Sequence, residues 1–426
     1  MGRRYAVMSP FCGHPMPRLS AGGPALHSPT LQEDVRDVVW GRKLARVSGE
    51  SPGTGCSNVV HQGPAEQGCA LYFTMKIVKK MGRIILFLVL LAVGLGVLYE
   101  QFGRFRARRA FPMTGRLVRV GDHRLHCTAT APRGPVVVFE SGLDPGGALP
   151  WERVVRQVAP FATAFTYDRA GIQRSERGTP PKTGAAMARD LHDLLHLAGY
   201  PPPYLLVGHS LAGLLLRSFV AQYPMEVGGV VLVDASHPDQ LKRLPTQLLD
   251  QMKADGPPPR WVVRLAAAVG LVRFFGHSQY AGTRPNDRIN LANQAFLPSS
   301  IDATMEELAQ MPALLDEARQ VTSFGTIPLR VVTGTSPTRD QQEVPDATLR
   351  EEMNRTWYAL QQDQLRLSTR SAQLLAPKSG YYVQLEQPEI VTAAIKQLLD
   401  QAVATGRVPD RSARPGGGLP AVAAAR

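Results

Sequence analysis

Cysteine is scarce and poorly placed for cross-linking. Of four cysteines in 426 residues, Cys12, Cys56 and Cys69 lie in the first 74 positions and only Cys127 lies beyond them. A disulfide framework is excluded. No phosphate-binding loop of the G-x-x-x-x-G-K-[ST] type occurs and no G-x-G-x-x-G follows a strand-like run, so no cofactor is expected. Histidine is missing altogether after His277. An excess of one charge sign is also missing from the middle of the chain: residues 117–400 carry 28 basic and 28 acidic side chains, although the whole chain has a net charge of +13. The basic excess belongs to the ends, which removes the electrostatic footprint of nucleic-acid binding.

The largest excess, nine basic residues against one acidic in 75–116, flanks the uncharged run IILFLVLLAVGLGVLY at 84–99. Lys76, Lys79, Lys80 and Arg83 precede it; Arg104, Arg106, Arg108 and Arg109 follow. Sixteen helical residues rise about 24 Å, and flanking residues with snorkelling basic side chains make up the ~30 Å hydrocarbon core. No small-x-small cleavage site follows, so the segment 75–114 is expected to be an uncleaved single-pass N-terminal membrane anchor. Four basic residues on each side leave its orientation open. Residues 1–74 show no sustained period and are expected to be a disordered extension, or untranslated, with the start at Met75 or Met81. Residues 405–426 have the Gly, Pro and Ala content of a disordered tail.

Between these ends, short Val-rich runs alternate with helical periodicity. PVVVFE (135–140), TAFTYD (163–168), YLLVG (204–208), GGVVLVD (228–234) and PLRVVTG (328–334) read as buried parallel strands. In MARDLHDLLHLAG, residues Leu191, Leu194, Leu195 and Ala198 form one stripe that stops at Gly199. Another helix ends before Pro224, and a last one opens near Pro388. The pattern predicts an α/β fold with a mostly parallel central sheet flanked by helices. Its core is expected at 115–235 and 326–404. The proline-broken helical stretch 236–325 reads as an inserted cap.

Gly208-His209-Ser210-Leu211-Ala212 stands at a strand-to-helix turn, where small residues allow a sharp bend that lifts a serine hydroxyl above the sheet. With VVVFESGL, YDRAGIQRS, VGHSLAG, LVDASHPDQ and SGYYVQLEQPEIV occurring in that order, the chain from about 115 to 403 resembles the α/β-hydrolase superfamily, close to bacterial membrane-anchored esterase-like members. The resemblance implies that Ser210 is the nucleophile and that the backbone N–H groups of Leu143 and Leu211 form the oxyanion hole. It implies an acid at Asp234, with Asp340 as the alternative. The implied substrate is a small acyl compound, and Trp261, Phe274, Phe275 and Phe296 of the cap suggest that it is apolar.

Two departures from the family pattern stand out. Ala212 replaces the second glycine of G-x-S-x-G, with Gly213 next to it. More seriously, Tyr381 stands where the pattern has the catalytic histidine. A tyrosine is about 0.1% phenolate at pH 7 and a poor base. His237, three residues beyond Asp234, is a possible substitute; His209 is expected to point into its own loop. The result is either a weak or inactive serine hydrolase or a non-catalytic binding protein of the same fold. His192 and His196 have the i, i+4 spacing of H-E-x-x-H, but they lie on a covering helix with no evident third ligand, so no metal is expected.

Overall fold

The computed structural model describes residues 64–408 apart from 112–113, 180–181, 255, 257, 276–296 and 342–343. The chain divides into two units, one ending at Ala92 and one containing all described residues from Val93 onward. The second unit is built on eight strands: β1 (Arg116–Val120), β2 (His123–Ala129), β3 (Val136–Glu140), β4 (Thr163–Tyr167), β5 (Tyr204–His209), β6 (Val227–Val233), β7 (Leu329–Gly334) and β8 (Ser371–Ala376). Their order is β1-β2-β4-β3-β5-β6-β7-β8. The pairs β1/β2 and β2/β4 are antiparallel, and the remaining pairs from β4 to β8 are parallel.

Strand side chains alternate between faces, and both faces are covered. Val136 and Val138 of β3 join Leu206 of β5 in one core, with Leu191 and Leu194 of α3 (Gly184–Leu197) and Phe219 of α4 (Ala212–Gln222). Val137, Phe139, Leu205 and Val207 point the other way. They meet Val154 of α2 (Glu152–Val158) and Ile395 and Leu398 of α13 (Pro388–Ala404). Full burial of each such side chain contributes about 1.5–3 kcal/mol, which is why these runs carry no polar alternation. Thr183 caps α3 by accepting from the Ala186 N–H at 3.1 Å, and Gly199 ends that segment with φ +80°.

The stretch after β6 is helical: α5 (Gln240–Arg243), α6 (Thr246–Ala254), α7 (Arg260–Ala268), α8 (Leu271–Phe275), α9 (Leu297–Ala309) and α10 (Met311–Arg319). Between β7 and β8 runs α11 (Ala347–Asp363), and α12 (Val383–Glu386) precedes α13. Three local features differ from expectation. Strand β8, SAQLLA, lacks β-branched residues and is half-exposed at the sheet edge, so it gave no strand signal. Helix α1 (Pro64–Ala110) begins inside the expected disordered extension, with Pro64 at its first position. Val408 is buried and packs so tightly on Gly228 that a Cβ there would lie 2.4 Å from it, so the first residues of the expected tail belong to the core.

Within α1, Met75–Ala110 is long and apolar enough to cross a membrane, with a mean hydropathy of 2.5 over 18 residues. Its C-terminal part packs on the second unit's helices. An added Cβ on Gly96 would sit 2.4 Å from the Val269 carbonyl, and one on Gly103 would meet the Arg273 side chain at 2.6 Å. Arg273 of α8 donates from Nε and Nη2 to the two Glu100 oxygens at 2.7 and 3.0 Å, and both residues are buried. Removing one member of a buried pair leaves an uncompensated charge. Glu100→Ala is therefore expected to destabilise the full chain in detergent by about 3 kcal/mol, whereas Glu100→Leu/Arg273→Met recovers most of the loss, as denaturant unfolding would show.

Candidate active site

Ser210 occupies the turn between β5 and α4 with φ +54°, a left-handed conformation that costs a non-glycine residue on the order of 1–3 kcal/mol. The turn is held from both sides. The Ser210 N–H donates to the Val233 carbonyl at 3.3 Å, and the Ser210 carbonyl accepts from Gly213 and Ser236 N–H groups, each at 2.8 Å. Its glycines make room for close packing. A Cβ on Gly208 would lie 2.7 Å from the Ala212 methyl, so the bulk added by Ala212 is accommodated at Gly208. A Cβ on Gly213 would lie 2.6 Å from the Ser236 carbonyl. The loop after β3 passes equally close, since a Cβ on Gly142 would lie 3.0 Å from Ser210 Cβ. Gly142, the neighbour of Leu143, thus lies against the serine, and Leu211 is the N-cap residue of α4.

Arg169, in the turn after β4, holds the loop after β3. Its Nη1 donates to the Ser141 carbonyl and Nη2 to the Gly142 carbonyl, at 2.6 and 2.7 Å. The same guanidinium pairs with Glu140 Oε1 at 2.6 Å and with Glu307 of α9 at 2.7 Å. A buried cation thus ties the loop after β3 to the helical insertion. Asp168 accepts from Ala148 N–H at 3.1 Å and faces His126 Nδ1 at 2.8 Å.

Tyr381, in the turn after β8, donates its hydroxyl to Ser210 Oγ. Burial pushes the phenol well above its ordinary range, so at neutral pH it keeps its proton and can only offer it. The histidines are engaged elsewhere. His209 Nε2 donates to the Tyr381 carbonyl at 2.9 Å, and its ring packs edge-on against the Tyr381 ring at 4.6 Å. Burial lowers His209 to about 4, so it is a neutral brace for the loop. His237 Nδ1 accepts from the Asp239 N–H at 3.1 Å, and burial lowers it to about 4 as well. Among the described residues Ser210 Oγ has no histidine partner.

Asp234 follows β6 with φ +43° and is completely buried. Arg339 Nη1 donates to its Oδ2 at 2.6 Å and Trp357 Nε1 of α11 to its Oδ1 at 2.7 Å. Burial raises Asp234 to about 6, against the opposing pull of Arg339 and the Trp357 hydrogen bond. Arg339 also donates to Asp340 Oδ2 at 3.1 Å and to the Gly334 carbonyl at 3.0 Å. Both candidate acids therefore meet on one guanidinium. Neither Arg339 nor Trp357 was singled out in the sequence, because nothing in TSPTRDQQ or NRTWYAL marks a partner more than 100 positions upstream. Trp261, Phe274 and Phe275 stand largely exposed on α7 and α8, and Phe296 lies outside the described residues.

The model of a family described as the alpha/beta hydrolase fold matches residues 135–291. A Hormonema carpetanum protein named "Probable transporter efuK" is 28% identical over 67% of this chain, and the match spans 42% of that protein's length. An AB hydrolase superfamily protein of Gibberella zeae is 23% identical over 63% of this chain and 88% of its own. Among solved structures, a variant of a Vigna radiata epoxide hydrolase aligns over 68% of this chain and 99% of its own with a TM-score of 0.51 at 15% identity, a likeness of fold. With its eight-stranded, mostly parallel sheet flanked by helices and its matched segment running from β3 past the serine turn into the helical insertion, the chain has the α/β-hydrolase fold.

Proposed function

We propose that this chain is a membrane-anchored serine hydrolase for an ester or related acyl bond, held at low turnover by Tyr381. The observation that carries this reading is the hydroxyl of Tyr381 donating to Ser210 Oγ at the position where the family pattern has its base. Ser210 is the nucleophile, because only a residue with a purpose is kept in left-handed backbone at a strand-to-helix turn. The Leu143 and Leu211 N–H groups receive the oxyanion, on a loop made rigid by Arg169. Asp234 is the acid.

What is missing is a proton acceptor. For Oγ to attack a carbonyl its proton must leave, and the leaving group must then receive one. A protonated phenol cannot take the proton from Oγ, and loss of the base in a comparable triad costs on the order of a millionfold. A second reading, a non-catalytic binding protein of the same fold, draws support from Asp234: Arg339 and Trp357 already satisfy both of its oxygens, as a carboxylate released from catalysis would be satisfied.

Tyr381→His puts an imidazole on the loop next to Ser210 and is expected to raise hydrolysis of a short-chain p-nitrophenyl ester at least about a hundredfold. Because burial holds Asp234 at about 6, that activity rises with pH through this value as the carboxylate loses its proton. No gain in a folded variant would favour the binding reading.

Ser210→Ala is expected to abolish acyl hydrolysis in either background, and Asp234→Asn to weaken it more than Asp340→Asn. Initial rates in the Tyr381→His background decide both, and unchanged turnover in Ser210→Ala would remove the serine mechanism.

A further inference from the structure

We propose that His192, His196 and Glu226 form a divalent transition-metal site of the Zn2+ type at the end of the sheet remote from Ser210. His192 and His196 lie one turn apart on α3, and Glu226 closes the single 3-10 turn Pro224–Glu226 that leads into β6. The sequence shows two of the ligands; the fold brings in the third. Glu226 immediately precedes β6, and Asp234 immediately follows it. The strand's seven residues separate the two ends by about 23 Å. The site is a clip between a covering helix and the sheet, and it is separate from the catalytic machinery.

The spacing of these atoms matches that of ligands around one ion. His192 Nε2 and His196 Nε2 lie 3.3 and 3.2 Å from the same Glu226 oxygen. Bonds of about 2.05 Å at tetrahedral angles put ligand atoms about 3.3 Å apart. All three ligand atoms lie within 4.8 Å of one another. A further contact sets the tautomer: His192 Nδ1 is 2.9 Å from Asp193 Oδ1, so its proton sits on Nδ1 and the lone pair of Nε2 faces Glu226. Without a proton or a cation between them, two acceptors would face each other. This carboxylate-to-histidine contact is the usual support behind a metal-bound imidazole. The His192 ring is fixed further by stacking on Tyr223 at 4.0 Å and 12°. Two imidazoles and one carboxylate suit Zn2+ and its neighbours rather than Mg2+ or Ca2+, and the exposed side of His196 leaves the fourth position to water.

The test is Zn2+ binding by the untagged full chain in detergent, read by competition with a chromophoric chelator and by metal content after gel filtration. Wild type is expected to retain one Zn2+ per chain and to melt about 3 °C higher with Zn2+ than with Mg2+. His192→Ala, His196→Ala and Glu226→Gln should each weaken binding at least about tenfold, and Asp193→Asn about tenfold through the His192 ring. His196 is exposed, so its variant reports on the metal and not on folding. The same Zn2+ content in His196→Ala and Glu226→Gln as in wild type would overturn the site. So would a folded wild type that retains none.

Discussion

The left-handed backbone of Ser210 is the constraint around which this fold is organised. A residue at φ +54° stays there only if its surroundings leave no other choice, and here strands on both sides contribute. The Val233 carbonyl at the end of β6 and the Ser236 N–H beyond it hold the peptide groups of Ser210. Gly208, Gly142 and Gly213 let β5, the loop after β3 and the turn after β6 close on it without side chains between them. The parallel sheet is what brings these segments to one edge, and its two apolar faces, each covered by helices, hold that edge still.

On the proposed reading, the proton chemistry around this scaffold is rewired. Where a base would accept a proton from the serine, a buried phenol gives one. Where an acid would orient that base, Asp234 is bound by a guanidinium and an indole. The two changes belong together. A buried carboxylate that no longer faces an imidazole needs another partner, and Arg339 supplies the charge while Trp357 supplies a neutral donor. Asp340 shares the same guanidinium, which joins the two sequence candidates for the acid into one network. The loop after β3, by contrast, is held by Arg169, a buried cation that also reaches Glu307 in the helical insertion. Any motion of that insertion is therefore felt at Gly142, next to the serine.

Much of this was legible in the residues, and the limits have physical causes. Strands β3 to β7 were readable because burial on both faces demands unbroken apolar runs, whereas β8, half-exposed and without branched residues, leaves no such trace. That Tyr381 lies near Ser210 was legible because a local motif, S-G-Y where the family pattern reads S-G-H, points to its loop. Arg339 and Trp357 were not, since their bonds to Asp234 span 105 and 123 positions and depend on where α11 packs. Glu226 was hidden for the same reason: a helix can show the spacing of two histidines, but only tertiary structure supplies a ligand 30 positions away. The docking of α1 on α8 through Gly96, Gly103 and Glu100 was masked by the hydrophobicity of the segment, which reads as an anchor and nothing else.

On the proposed reading, the Tyr381 proton keeps Ser210 from acting as a nucleophile on an otherwise competent scaffold. The most direct measurement is the rate at which a fluorophosphonate probe labels the full chain, with the modified residue located by peptide mapping. Slow labelling of wild type is expected, with labelling of Tyr381→His on Ser210 faster by about a hundredfold or more. Rapid labelling of wild type at Ser210, unaffected by substitution at Tyr381, would contradict it.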